Sequence, residues 1–115
     1  MGQKHFICTH TFCSEQTRHL FLTPPENLNP PSQRLNEKEW SKASKGSYAT
    51  CLQTWVGNDD FFFCHWIAES EDAILGFLIE GGEDQFFHTM CAEMDYYITP
   101  SDGNNDIYAN ISYVD

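Results

Sequence analysis

Thr50-Cys51-Leu52-Gln53-Thr54-Trp55-Val56, then Gly57-Asn58-Asp59-Asp60, then Phe61-Phe62-Phe63-Cys64-His65-Trp66-Ile67-Ala68 is the stretch on which the fold turns. Two runs rich in aromatic and β-branched residues flank a cluster of turn formers, which is the pattern of a β-hairpin. With Asn58-Asp59 as a two-residue turn, Val56 is expected opposite Phe61, Gln53 opposite Cys64 and Cys51 opposite Trp66. One face then carries Cys51, Gln53, Trp55, Phe62, Cys64 and Trp66. The other carries Leu52, Thr54, Val56, Phe61, Phe63, His65 and Ile67. Because side chains alternate with period two, a slip of one residue would exchange the faces of one strand relative to its neighbour.

Moving toward the C-terminus, Ser70 is placed to cap a helix, and Glu71 and Asp72 complement its positive end. Ile74, Phe77 and Leu78 form the apolar stripe, and Gly81-Gly82 ends it. A strand is expected over residues 89–98. Beyond it lies an extension, residues 99–115, in which residues 107–114 alternate well enough for one more edge strand. Toward the N-terminus, residues 4–12 alternate with strand period. His5, Ile7, Thr9 and Thr11 fall on one side and Phe6, Cys8, His10 and Phe12 on the other. Ser14 offers a cap for a helix over residues 15–22, which Pro24 and Pro25 stop. Residues 23–35 hold four prolines and read as a loop. Asn36 with Glu39 three residues later starts another helix, which turns Trp40 and Ala43 inward and ends at Gly46.

The order is strand, helix, strand, strand, helix, strand within one domain over residues 1–115. The expected class is α+β: a ferredoxin-like βαββαβ arrangement with a four-stranded antiparallel sheet, helices on one face, and an extra C-terminal strand.

Gln53-Thr54-Trp55-Val56, the tight turn, and Cys64-His65-Trp66-Ile67-Ala68 leading into an acidic helix cap resemble small proteins of the dimeric α/β-barrel superfamily. The resemblance covers residues 50–78. It extends to uncharacterised ferredoxin-like families and, more distantly, to a nickel-responsive family that has a histidine where this chain has Gln53. It implies a homodimer in which two sheets pack face to face and enclose a pocket in each half of the barrel. An aromatic face of Trp55, Phe62 and Trp66 would also call for cover by a second sheet.

Composition narrows the function. The chain has 115 residues and a formal net charge of −11. All six basic residues lie in the first 45 positions, while thirteen of the seventeen acids follow Gly46. Such a surface repels phosphate backbones and anionic lipid, which argues against nucleic-acid and membrane partners. There is no run long enough to span a bilayer and no apolar centre of a secretion signal, so a cytoplasmic location is expected. Cys8, Cys13, Cys51, Cys64 and Cys91 show no Cys-x-x-Cys spacing, so no zinc ribbon or thioredoxin-type pair is indicated. Reduced, buried thiols are the expectation, with Cys13 the most reactive.

The leading functional expectation is a small-molecule-binding module. His10, Gln53, Trp55, Phe62 and Trp66 would line a pocket for an apolar or amphipathic, fatty-acid-like ligand, with the Pro-rich loop as its lid. A second reading is a cofactor-independent enzyme of monooxygenase or isomerase type, with His10 or a carboxylate such as Glu93 or Asp95 as base. A third is a metal site built from His10, His65 and His88, although these form no ligand motif. No cofactor is called for, because the chain has neither a glycine-rich phosphate loop nor a nucleophile elbow.

Overall fold

The structure, a computed structural model, describes residues 3–96, 98 and 100. Seven principal elements follow in the order β1 (Lys4–Phe12), α1 (Glu15–Leu22), α2 (Glu37–Ala43), β2 (Ala49–Val56), β3 (Phe61–Ala68), α3 (Glu71–Glu80) and β4 (Phe87–Met94). Each helix starts where a polar side chain takes up an orphan amide. Ser14 Oγ accepts from Thr17 N at 3.1 Å, Asn36 Oδ1 from Glu39 N at 2.9 Å, and Ser70 Oγ from Ala73 N at 3.2 Å. At α1 and α2 the third residue returns the bond to the cap's own amide, which completes a capping box. Among the described residues no helix is long and apolar enough to cross a membrane.

Helix α2 stops at Ala43, three residues short of the expected Gly46. Gly46 has a different task. Its amide donates to Ala49 O at 2.9 Å, and a Cβ there would sit 2.7 Å from the Phe77 ring. The chain therefore passes close under α3 on its way into β2, an approach open only to glycine. Gly82, at φ +73°, supplies the left-handed turn after α3. The Pro-rich segment, expected to be irregular throughout, contains a single 3-10 turn at Pro25–Asn27.

The four strands form one antiparallel sheet in the order β2-β3-β1-β4, an α+β architecture compatible with the ferredoxin-like fold. Strand β4 starts at Phe87 and ends at Met94, earlier at both ends than the sequence pattern suggests. Its extent follows from its partner, since Phe12 faces Phe87 and His5 faces Met94 across the β1–β4 pair. The C-terminal strand expected at 107–114 lies outside the described residues.

The hairpin register differs from expectation. Cys51 does face Trp66, but Gln53 faces His65, Trp55 faces Phe63 and Val56 faces Phe62, with a bulge between Cys51 and Gln53. The cause lies at the turn. Phe61 pairs with Thr11 of β1, Phe12 N donates to Asp60 O at 2.8 Å, and Arg18 Nε donates to Asp59 O at 3.0 Å. Residues 59–61 are thus held by β1 and α1, and the connection is wider than a two-residue turn. The bulge absorbs the extra residue. In consequence Gln53 and Trp55 share a face with Phe63 and His65, not with Phe62, Cys64 and Trp66.

The helices cover the face that carries Phe6, Cys8, Phe12, Phe62, Cys64, Trp66 and Phe87, all buried, and Ile74, Leu78 and Phe21 pack onto it. Phe12, Phe21, Phe62 and Phe87 form a mutual aromatic cluster with ring centroids 5.1–6.3 Å apart. Trp66 meets Phe77 edge-on at 5.2 Å. The opposite face leaves Trp55 52%, Phe63 41%, Met90 72% and Met94 42% exposed.

Candidate functional site

His10 sits on a central strand, between β3 and β4. It is fully buried, its ring 4.6 Å from Phe62 and 4.8 Å from Phe87. Its Nδ1 and Thr89 Oγ1 share a hydrogen bond at 2.8 Å, while Nε2 has no partner among the described residues. Burial among aromatic rings pushes its pKa down to about 4, so the imidazole is neutral at pH 7.

The five expected pocket residues do not converge. His10, Phe62 and Trp66 lie together in the helix-covered core, while the register places Gln53 and Trp55 with the opposite face. Gln53 nevertheless lines a cavity. Strand β2 is at the sheet edge, and between it, α2 and the Pro-rich segment runs a groove of about 810 Å³. Phe21, Leu22, Leu35, Trp40, Leu52 and Val56 supply apolar walls, and Gln53, Lys38 and Arg34 are among its polar groups.

Arg34 is the residue that sequence reasoning missed. Its guanidinium donates to the carbonyls of Leu20, Phe21 (3.4 Å) and Thr23 (2.8 Å), the last turn of α1 and the residue after it. A cation at a helix C-terminus satisfies orphan carbonyls and complements the helix dipole. It also lies 5.7 Å from the Phe86 ring centroid. The Pro-rich segment is thereby tied to α1 and forms a wall of the groove. The only sequence signal was a lone arginine in a proline-rich loop. A second cavity, of about 440 Å³, shares Phe21, Arg34, Leu35 and Trp40 with the groove and reaches Glu83, whose carboxyl burial pushes up to about 7.

Other candidates resolve individually. Glu93 shares the helix-side parity of Cys91 but stands half-exposed, 3.8 Å from Lys4 Nζ, and Asp95 lies past the end of β4. His65 points away from Cys64 and Trp66, as expected, and its Nε2 lies 2.9 Å from His5 Nδ1. Burial, and secondarily the charge on His5, lower the pKa of His65. His88 Nε2 is 3.6 Å from the sulfur of Cys13, the one exposed thiol of the five. Among the described residues, no group of three or more His, Cys, Asp or Glu side chains is arranged to hold a metal ion. No family model, curated protein or solved structure matches this chain.

Proposed function

We propose that the protein is a homodimeric binding module that takes an apolar or amphipathic small molecule bearing an acidic head group. The observation that carries this reading is the groove beside β2: aromatic and aliphatic walls with Gln53, the cations of Arg34 and Lys38 and the carboxylates of Glu26 and Glu37 among them. Of the six basic residues in a chain of net charge −11, Arg34 and Lys38 both line this groove. A concave apolar site with a few polar anchors is what small-molecule recognition requires. Lys38 attracts a carboxylate, Gln53 donates to it through its amide, and the hydrocarbon part displaces water from Leu35, Trp40 and Leu52.

Titration with decanoate tests the reading. Trp40 lines the groove, so its fluorescence should change on binding, and the melting temperature should rise with ligand concentration. Gln53→Leu should keep the fold, because position 53 is on an edge strand at the surface, and should weaken binding roughly tenfold, the worth of one hydrogen bond to a charged group. Unchanged fluorescence and melting temperature at millimolar decanoate would remove this reading.

The dimer rests on the uncovered sheet face. Trp55, Phe63, Met90 and Met94 are exposed on it, and no helix among the described residues covers them. A second copy laid across the same face would bury them symmetrically, in the manner of the dimeric α/β barrels that the hairpin resembles. Sedimentation at micromolar concentration should therefore give twice the chain mass. Trp55→Asp should give a monomer, because the interface would otherwise bury an unpaired carboxylate. A wild-type chain that sediments as a monomer would sink the dimer while leaving the groove intact.

A further inference from the structure

Three cysteines stand in a row across the centre of the sheet. Cys8 of β1 has Cys64 of β3 as its direct partner on one side and Cys91 of β4 on the other. The two neighbours are not equivalent. Cys64 Sγ shares a hydrogen bond at 3.3 Å with Thr54 Oγ1, which itself lies 3.4 Å from Cys51 Sγ. Cys8 Sγ instead donates to Cys91 Sγ at 2.8 Å. All five cysteines are free thiols.

We propose that Cys8 and Cys91 form a redox-active pair, a modification site that a hydroperoxide converts into an intrachain disulfide joining the first strand to the last. Directly opposed residues of an antiparallel pair have Cα atoms about 4.5–5.5 Å apart, inside the range that a disulfide tolerates, so closure needs no backbone rearrangement. The sulfurs need to approach by roughly 0.8 Å to reach bonding distance.

The two thiols have different roles. Cys91 is half-buried on an edge strand and is the sulfur an oxidant reaches, whereas Cys8 is fully buried. The S–H of Cys8 donates to Cys91, which lowers the pKa of Cys91 against the opposing effects of burial and the Glu71 charge. The same contact, together with burial, raises the pKa of Cys8. Cys91 is therefore the nucleophile and Cys8 the resolving thiol. In the first step the Cys91 thiolate attacks one peroxide oxygen, the O–O bond breaks, and the other oxygen leaves as an alcohol or water after taking a proton. In the second step the Cys8 sulfur attacks the Cys91 sulfenic sulfur. The S–O bond breaks, and the hydroxide leaves as water with the proton from Cys8. Two thiols lose two electrons and two protons, and one peroxide is reduced.

The test uses the full chain, as wild type and as Cys13→Ser, which removes the exposed thiol that would otherwise compete. After treatment with hydrogen peroxide in slight excess, the intact mass corrected for alkylation should be that of the chain less two hydrogens. Peptide mapping should join the Cys8 and Cys91 peptides, and dithiothreitol should reverse the change. Cys91→Ser should leave Cys8 a free thiol under the same treatment, a readout that needs no stability comparison. A bridge from Cys8 to Cys64, a bridge from Cys64 to Cys51, or oxidation confined to Cys13 would each overturn the proposal.

Discussion

Replacing Phe62 with alanine is expected to cost about 3–5 kcal/mol of folding stability, the upper range for truncating a buried aromatic residue. Phe62 is among the largest fully buried side chains, and its ring touches Phe12, Phe21, Phe87 and His10, which belong to β1, α1 and β4. No single neighbour can move in to fill the space without leaving its other contacts. A domain of this size has about 5–15 kcal/mol in total, so the variant should lose from about a fifth to all of its stability. Urea denaturation measures it: the midpoint should fall by the lost free energy divided by the slope, with the slope unchanged. A loss below about 1 kcal/mol would mean that the aromatic cluster is not the centre of the core.

Acid should act on the fold through His10. Its folded pKa, about 4, lies below the ordinary histidine value of 6.5. The unfolded chain therefore takes up the proton first, and the stability associated with the neutral ring is complete above pH 6.5. It is lost as pH falls toward 4, by about 3 kcal/mol at about 1.4 kcal/mol for each pH unit. Glu83 has the opposite sign. Its folded pKa, about 7, is raised above 4.5, so its contribution is present below pH 4.5 and lost as pH rises through 7. Between pH 4.5 and 6.5 the two slopes oppose each other, and the wild-type profile should be nearly flat with respect to this pair. His10→Gln removes one slope and exposes the other. The stability difference between wild type and this variant should fall by about 3 kcal/mol from pH 6.5 to pH 4. A difference that does not vary with pH would show that His10 does not titrate differently in the folded chain.

What the sequence disclosed was mostly local. Ser14, Asn36 and Ser70 were legible as caps because a cap and the amide it satisfies are three residues apart. The parity of β1 grouped His10 with Phe6, Cys8 and Phe12, and the βαββαβ order led to the observed sheet. The hairpin register was not legible, since the groups that widen its turn, Phe12 N and Arg18 Nε, come from more than forty residues earlier. That one-residue difference separates Trp55 from Phe62 and Trp66, so the pocket expected on the sheet gave way to a groove at its edge. Gln53 joined that groove because β2 is an edge strand. The carbonyl contacts of Arg34 and the row formed by Cys91, Cys8 and Cys64 depend on contacts and registers between distant segments, which local sequence patterns do not encode.

The position of β1 bears on how the chain acquires its fold. The first of the described strands lies in the interior of the sheet, between β3 and β4, and its partners in β4 run from Phe87 opposite Phe12 to Met94 opposite His5. During synthesis one edge of β1 therefore stays unpaired until nearly all of the described chain has emerged. Loop closure over such separations is slow compared with the pairing of β2 and β3. The hairpin can form early, whereas the buried ring of His10 acquires Phe87 and Thr89 only when the last strand docks. Until then, the strand beginning at Lys4 offers its amides and carbonyls to any other nascent strand, so the interval before β4 arrives is when this chain is most open to mispairing.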